Sequence, residues 1–142
     1  MPSLKSIRLD TSAMDNGVWL TFFTDPVTKK SIRVRIASMN SPNYTKSVQD
    51  LTRARRAEIK ANGGNLPSAS IEEIQRVAAG QALVTGWEGI ENDQGEEIPF
   101  SREASVNFML DRAYSEFYEW VIENAGTRER YREQTVALAA KN

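Results

Sequence analysis

Three groups of side chains have the types and spacing to do chemistry. The first is acidic: Glu88, Glu91, Asp93, Glu96 and Glu97 crowd one short stretch. Carboxylates so placed can hold a divalent cation or share a proton for acid–base work. A calcium loop, however, alternates its Asp and Asn ligands and ends on a Glu about twelve residues from the first, and this stretch lacks that order. Two carboxylates for glycoside cleavage also need an apolar cleft around the acid, which nothing nearby supplies. A solvated hairpin tip is the better reading. The second group is basic: Arg53, Arg55 and Arg56, with Lys46 and Lys60 on the same helical pattern. Such a cluster can bind phosphate backbone, but no aromatic residues interleave it and the sequence pI is about 5.6. It reads instead as a solvated face or a clamp for an acidic surface. The third group is aromatic: Phe117, Tyr118 and Trp120, followed by Val121.

Two absences narrow the chemistry further. The chain has no histidine and no cysteine, which removes the commonest general base and metal ligand and every thiolate. Gly63-Gly64 is not followed by the Gly-Lys-Ser/Thr of a phosphate loop. The sequence therefore predicts a binding protein with no catalytic residues, no cofactor and no metal. No run of eighteen apolar residues offers a membrane span. The start, Met1 to Lys5, lacks the apolar core of a signal peptide. Lack of cysteine fits a cytosolic product.

The elements that must position these groups are legible in order. Leu4, Ile7 and Leu9 suggest a first strand, and Asp10 to Asn16 a polar turn. Val18 to Thr24 is rich in strand formers. In Ser31 to Ala37, Ile32, Val34 and Ile36 alternate with Arg33 and Arg35, so one face is buried. Joined by Asp25 to Lys30, these two segments predict an antiparallel hairpin. A hairpin alone is marginal and must pack on helices or on a partner. Ser41-Pro42 opens a helix as N-cap and first residue. Tyr44, Val48, Leu51, Arg55 and Ile59 stripe it, and Asn62-Gly63-Gly64-Asn65 stops it. Ser70 and Glu73 form a capping box for a helix carrying Ile71, Ile74, Val77, Ala78, Ala82 and Leu83. Gly80 weakens that helix by about 1 kcal/mol relative to Ala and marks close packing of another element.

That helix runs into Gly86-Trp87-Glu88-Gly89-Ile90, the stretch around which the rest is arranged. Asn92-Asp93-Gln94-Gly95 is a tight turn, with Gly95 suited to its left-handed residue. Ile90 and Ile98 flank the turn, and Pro99 ends any pairing. Trp87 and Phe100 are expected to pin this connector to a helical core. Ser101 caps a short helix with Glu103 in its first turn. Asp111 caps the next, which runs from Arg112 to Asn124 and holds the aromatic stripe. Gly126 ends it, and Thr127 caps a last helix, thinly apolar through Tyr131, Thr135 and Leu138. Together these predict an α+β fold, mainly α, in a single domain over 1–142: an N-terminal β-hairpin region (1–39), then a helical region (40–142) of about five helices with the small hairpin connector near 87–100.

Charge is split between the halves. Residues 1–67 carry eleven Lys/Arg against five Asp/Glu, net +6, and residues 68–142 carry seven against fourteen, net −7. Such halves pair with each other or with partners of opposite sign.

The order of apolar helix, Gly86-Trp87, acidic turn, Ile98-Pro99-Phe100-Ser101 and amphipathic helices, after a hairpin and the Asn40-Ser41-Pro42-Asn43-Tyr44 helix start, resembles tail assembly chaperones of long-tailed (siphovirus-like) bacteriophages over roughly residues 17 to 142. Its motifs are structural, not catalytic. The resemblance implies a non-virion assembly factor in the cytoplasm of the infected bacterium. It would bind the tape-measure protein and help recruit tail-tube subunits. The partner-binding face is then expected on Tyr44, Arg55 and Arg56 of the basic helix and on Phe117, Tyr118 and Trp120, with Trp87, Gly95, Pro99 and Phe100 structural. The alternatives are a minor structural protein of the tail or head–tail junction and a small nucleic-acid-binding protein, the latter the weakest; self-association is left open. In the resembled family translation often slips back one base near the end of the gene. Ala140-Lys141-Asn142 can be encoded as GCA-AAA-AAC, which contains the usual slip heptamer. AAG at Lys141 would break it.

Overall fold

The computed structural model describes residues 3–141, so Asn142 of the expected slip triplet lies outside the described residues. The β-branched and aromatic run forms strand β1 (Val18–Thr24), antiparallel to β2 (Ser31–Ile36), with Leu20 opposite Val34 and Val18 opposite Ile36. Val34 and Ile36 are fully buried, as their alternation with Arg33 and Arg35 predicts. The ladder slips once, between Thr21 and Phe23, leaving Phe22 as the extra residue of a bulge. On the opposite face Trp19 lies beneath the Arg33 and Arg35 guanidinium groups, 5.5 and 5.6 Å from them.

A strand leading into the connector and pairing with β2 was not expected. β3 (Val84–Glu88) pairs antiparallel with β2, placing Trp87 opposite Val34 and making the order β1-β2-β3. The helix expected to reach Trp87 instead widens into a π-helical turn over Ala79–Leu83 and passes directly into β3. Gly80 lies in that turn. Helix α5 (Arg102–Leu110) crosses so close that a Cβ on Gly80 would stand 2.6 Å from the Val106 Cα. The close approach that glycine marked is therefore real.

The N-terminal expectation is corrected. Leu4–Ile7 is a 3-10 turn with Leu4 and Ile7 exposed, not a strand, and Asp10 to Asn16 is not a turn. Asp10 accepts a hydrogen bond from the Ala13 N–H and so caps helix α1 (Thr11–Asn16). The long basic helix is also two helices, α2 (Pro42–Arg53) and α3 (Arg56–Ala61). The break falls at Arg55, which turns to meet Glu58 at 3.2 Å and Glu73 at 3.1 Å. Glu73 belongs to α4 (Ser68–Ala78), and no capping box starts that helix. Its first residue is Ser68, and Ser70 is buried with its hydroxyl donated to the Glu58 carboxylate.

Ser101 caps α5 through the Ala104 N–H, as expected, and Asp111 caps a 3-10 turn (Arg112–Tyr114) that leads into α6 (Ser115–Ala125). Thr127 precedes another 3-10 turn, Arg128–Tyr131, and its hydroxyl bonds back to the Glu123 carbonyl, so it does not cap the last helix. That helix, α7 (Glu133–Lys141), buries no residue. Helix α1 and the break at Arg55 are the difference between about five helices and the seven α-helices found among the described residues. The fold is α+β, with α5, α6 and the π-helical turn that ends α4 packed on one face of a three-stranded antiparallel sheet. Between these layers sit Val34, Ile36, Leu83, Val84, Met109 and Val121, all essentially without exposure. Among the described residues no helix is long and apolar enough to cross a membrane.

Tyr131, expected in the thin apolar stripe of the last helix, lies before that helix and is one of the most buried side chains, 1 % exposed. Its hydroxyl donates to the Ile36 carbonyl at 3.0 Å, and burial raises its pKa. Tyr131→Phe keeps the ring and strands that carbonyl, which costs about 1–3 kcal/mol. A fall in the urea midpoint with an unchanged m-value is the expected readout.

Candidate functional site

The connector is a hairpin built as its residues suggest. Glu91 bridges Glu97, the Ile98 N–H reaches the Ile90 carbonyl at 2.7 Å, and Gly95 takes φ +78°. The Asn92 side chain accepts from the Gln94 and Glu96 N–H groups, both at 2.9 Å. Pro99 follows the last of these pairings. Trp87 is 7 % exposed, and its indole N–H donates to the Ile98 carbonyl at 2.8 Å. Phe108 and Phe100 meet it edge-on at 5.6 and 5.0 Å. Phe100 is itself at the surface, 36 % exposed, so it covers Trp87 from outside and is not part of the core. The connector carboxylates are spread over the exterior, with Glu88 on Arg33 and Glu91 near Lys30. Among the described residues no group of three or more His, Cys, Asp or Glu is placed to hold a metal.

Two members of the basic cluster are held in ion pairs. Arg53 pairs with Asp50, and Arg55 is held between Glu58 and Glu73. The hydrogen bond to Glu73 raises the Arg55 pKa, and the Ser70 hydroxyl, aided by Arg55, lowers that of Glu58. Arg55 thus clamps the basic segment onto the acidic half of the chain. Arg56 is exposed at the break between the two helices.

The residues expected to share one partner groove are divided between two faces. Tyr44 and Tyr118 are half-buried near one another, where desolvation raises both phenols. Tyr118 stacks under the Arg76 guanidinium at 4.3 Å, and Arg76 also donates to the Met109 carbonyl and the Ser115 hydroxyl. That cluster locks α4 to α5 and α6. Phe117 and Trp120 point the other way, toward the sheet, where Phe22 sits 5.0 and 4.9 Å from them.

There the surface opens into a pocket of about 120 Å³ lined by Phe22, Ile32, Ile90, Phe108, Tyr114 and Phe117, with no polar wall. Four segments meet in it: the hairpin, the connector, α5 and the start of α6. Trp120 stands on its rim, and Tyr114 and Phe23 are about half exposed. Phe22, Phe108 and Tyr114 were not expected at a site. The readable signal was the Phe22-Phe23 pair: an alternating strand puts neighbours on opposite faces, so two adjacent aromatics in a half-buried strand mark either a bulge or an exposed ring. Here both occur.

A family model described as "YdaY prophage protein" matches residues 39–142, the whole chain after the hairpin. No curated protein and no solved structure matches the chain. The match spans most of the sequence, from just beyond β2 through every helix but α1, and with it the chain belongs to the YdaY prophage protein family and is phage-derived.

Proposed function

We propose that this protein is a non-catalytic tail assembly chaperone, which binds the tape-measure protein in the host cytoplasm and helps bring tail-tube subunits to it. The observation that carries the reading is the open aromatic pocket. Its wall has no polar atom to position a reacting group, and its volume of about 120 Å³ suits a single apolar side chain presented by another chain. Helix-in-groove recognition places anchors of that kind at helical spacing. Phage descent and the resemblance over the connector and its flanking helices support the tape-measure protein, a long helical chain, as the one that presents them.

Co-expression with the tape-measure protein encoded by the same prophage tests this. The expected outcome is that the tape-measure protein becomes soluble and co-purifies. Tyr114→Glu, at a half-exposed rim position, should cut the recovered complex about tenfold, since a desolvated charge in an apolar contact is costly. The variant's own melting temperature should not move. Unchanged recovery with the variant, or an insoluble tape-measure protein beside the wild type, overturns the reading.

A second reading rests on β1. It is an outer strand of the sheet, and Val18 to Thr24 carries no charge or proline of the kind that protects an edge. A minor structural subunit of the tail would use that edge to add a strand from a neighbour. Such a subunit is found in purified particles, from which a chaperone is absent.

A further inference from the structure

Helix α6 presents three exposed glutamates, Glu116, Glu119 and Glu123, along one stripe. Glu116 and Glu123 lie four residues before and three after Trp120, so they flank that ring one turn away on either side. Among the described residues none of the three takes part in an ion pair. They therefore border the aromatic rim with carboxylates that meet no cation at ion-pair distance among the described residues. Arg112, in the turn that carries Tyr114, is the cation on this element and stands at the end away from Glu123. The acidic rim and the apolar pocket are continuous, because Trp120 packs on both Phe22 and Phe117 of the pocket wall.

We infer that the pocket and the Glu116–Glu119–Glu123 stripe form one docking surface for a cationic amphipathic helix. An aliphatic or Met side chain fills the pocket, and Lys or Arg residues on the same helix lie along the stripe. The inference rests on the reading of the pocket as a partner site and adds the chemistry of its occupant. Complementary rim charges steer association and select the partner more than they add affinity. An acidic amphipathic helix with the same apolar anchors is repelled. That selection matters for a surface with so simple a hole, since one apolar side chain cannot by itself distinguish one helix from another.

Calorimetric titration of the whole protein with two synthetic helical peptides tests it. The peptides share one apolar stripe of Leu and Met and differ only in flanking residues, Lys/Arg in one and Glu in the other. The cationic peptide should bind and weaken as salt is raised, because exposed charges are screened; the anionic one should not bind. E116Q/E119Q/E123Q should weaken the cationic peptide about tenfold, whereas E103Q/E129Q, away from the stripe, should not change it. Circular dichroism and melting confirm that both variants are folded. Equal binding of the two peptides, or no effect of E116Q/E119Q/E123Q, overturns the inference. So does a protein that sediments alone as a dimer and dissociates on that same triple substitution, because the occupant is then a second copy. The two proposals separate cleanly. Undiminished capture of the tape-measure protein by the triple variant sinks the charge inference and leaves the chaperone reading. Tight binding of the cationic peptide without tape-measure capture does the reverse.

Discussion

Trp87→Ala lowers the stability of this protein by about 3–5 kcal/mol, the usual cost of emptying a buried aromatic site and a large share of what holds a small domain together. The ring is 7 % exposed and closes the core from the β3 side. Its loss also leaves the Ile98 carbonyl without the indole donor and takes away the surface on which Phe108 and Phe100 rest. Glu96→Ala, at the exposed tip of the same hairpin, should leave the melting temperature unchanged. The pair of variants separates the connector's base from its tip. A Trp87→Ala protein that melts like wild type would make the connector peripheral.

Gly80→Ala has the second large effect, and its direction runs against helix propensity. In a free helix the change gains about 1 kcal/mol. Here the new Cβ stands 2.6 Å from the Val106 Cα and 2.9 Å from both its backbone nitrogen and its Cγ2. Most of that is main chain, which cannot swing aside. The Ser105 hydroxyl holds the Gly80 carbonyl at 2.9 Å from within the core, so α5 cannot slide away cheaply either. Overpacking of this kind typically costs about 1–3 kcal/mol and sometimes more, and the backbone clash puts Gly80→Ala at the upper end. The diagnostic comparison is with Gly80→Ala/Val106→Ala. Removing Cγ2 leaves the main-chain clash in place, so the double variant should recover little stability. Full recovery would mean that the side chain alone sets the spacing of the two helices.

Much of this architecture is legible because it is decided locally. Ile32, Val34 and Ile36 alternate on the core face, with Val34 and Ile36 fully buried and Ile32 partly. Ser101 caps α5 and Asp111 the 3-10 turn after it, and Asn92 to Gly95 closes the connector. What was not legible depends on segments far apart in the chain. Val84 to Glu88 becomes a strand because β2 lies open beside it, and the helix pattern that runs up to Leu83 hides the change. Arg55 interrupts its helix for the sake of Glu73 on another. Ser70 looks like a cap and is a buried donor to Glu58. Tyr131 sits among charges in sequence, and only the Ile36 carbonyl shows why it is there. The aromatic pocket is the extreme case, since its wall is assembled from four segments and no one of them carries its signature. Tyr118, expected to line the partner groove together with Trp120, is half a helical turn away from it and serves Arg76.

The attachment at Tyr131 also has a mechanical side. The segment before α1 is stitched to the segment before α7: the Asp10 N–H bonds the Tyr131 carbonyl at 2.7 Å, Leu9 bridges Arg132, and the Glu133 N–H bonds the Arg8 carbonyl at 2.9 Å beside the Arg8–Glu133 ion pair. Both ends of the fold therefore leave it through one seam. A load on α7 first peels a helix that buries nothing. It then reaches Tyr131, whose hydroxyl is tied to β2, the central strand, so tension passes into the middle of the sheet and bypasses its edge. A load shared between the two ends instead pulls across the seam and opens it one bond at a time, like a zip. Pulled by its C-terminal helix alone, the molecule yields over α7 and then holds at Tyr131, whereas it gives bond by bond to anything that parts its two ends.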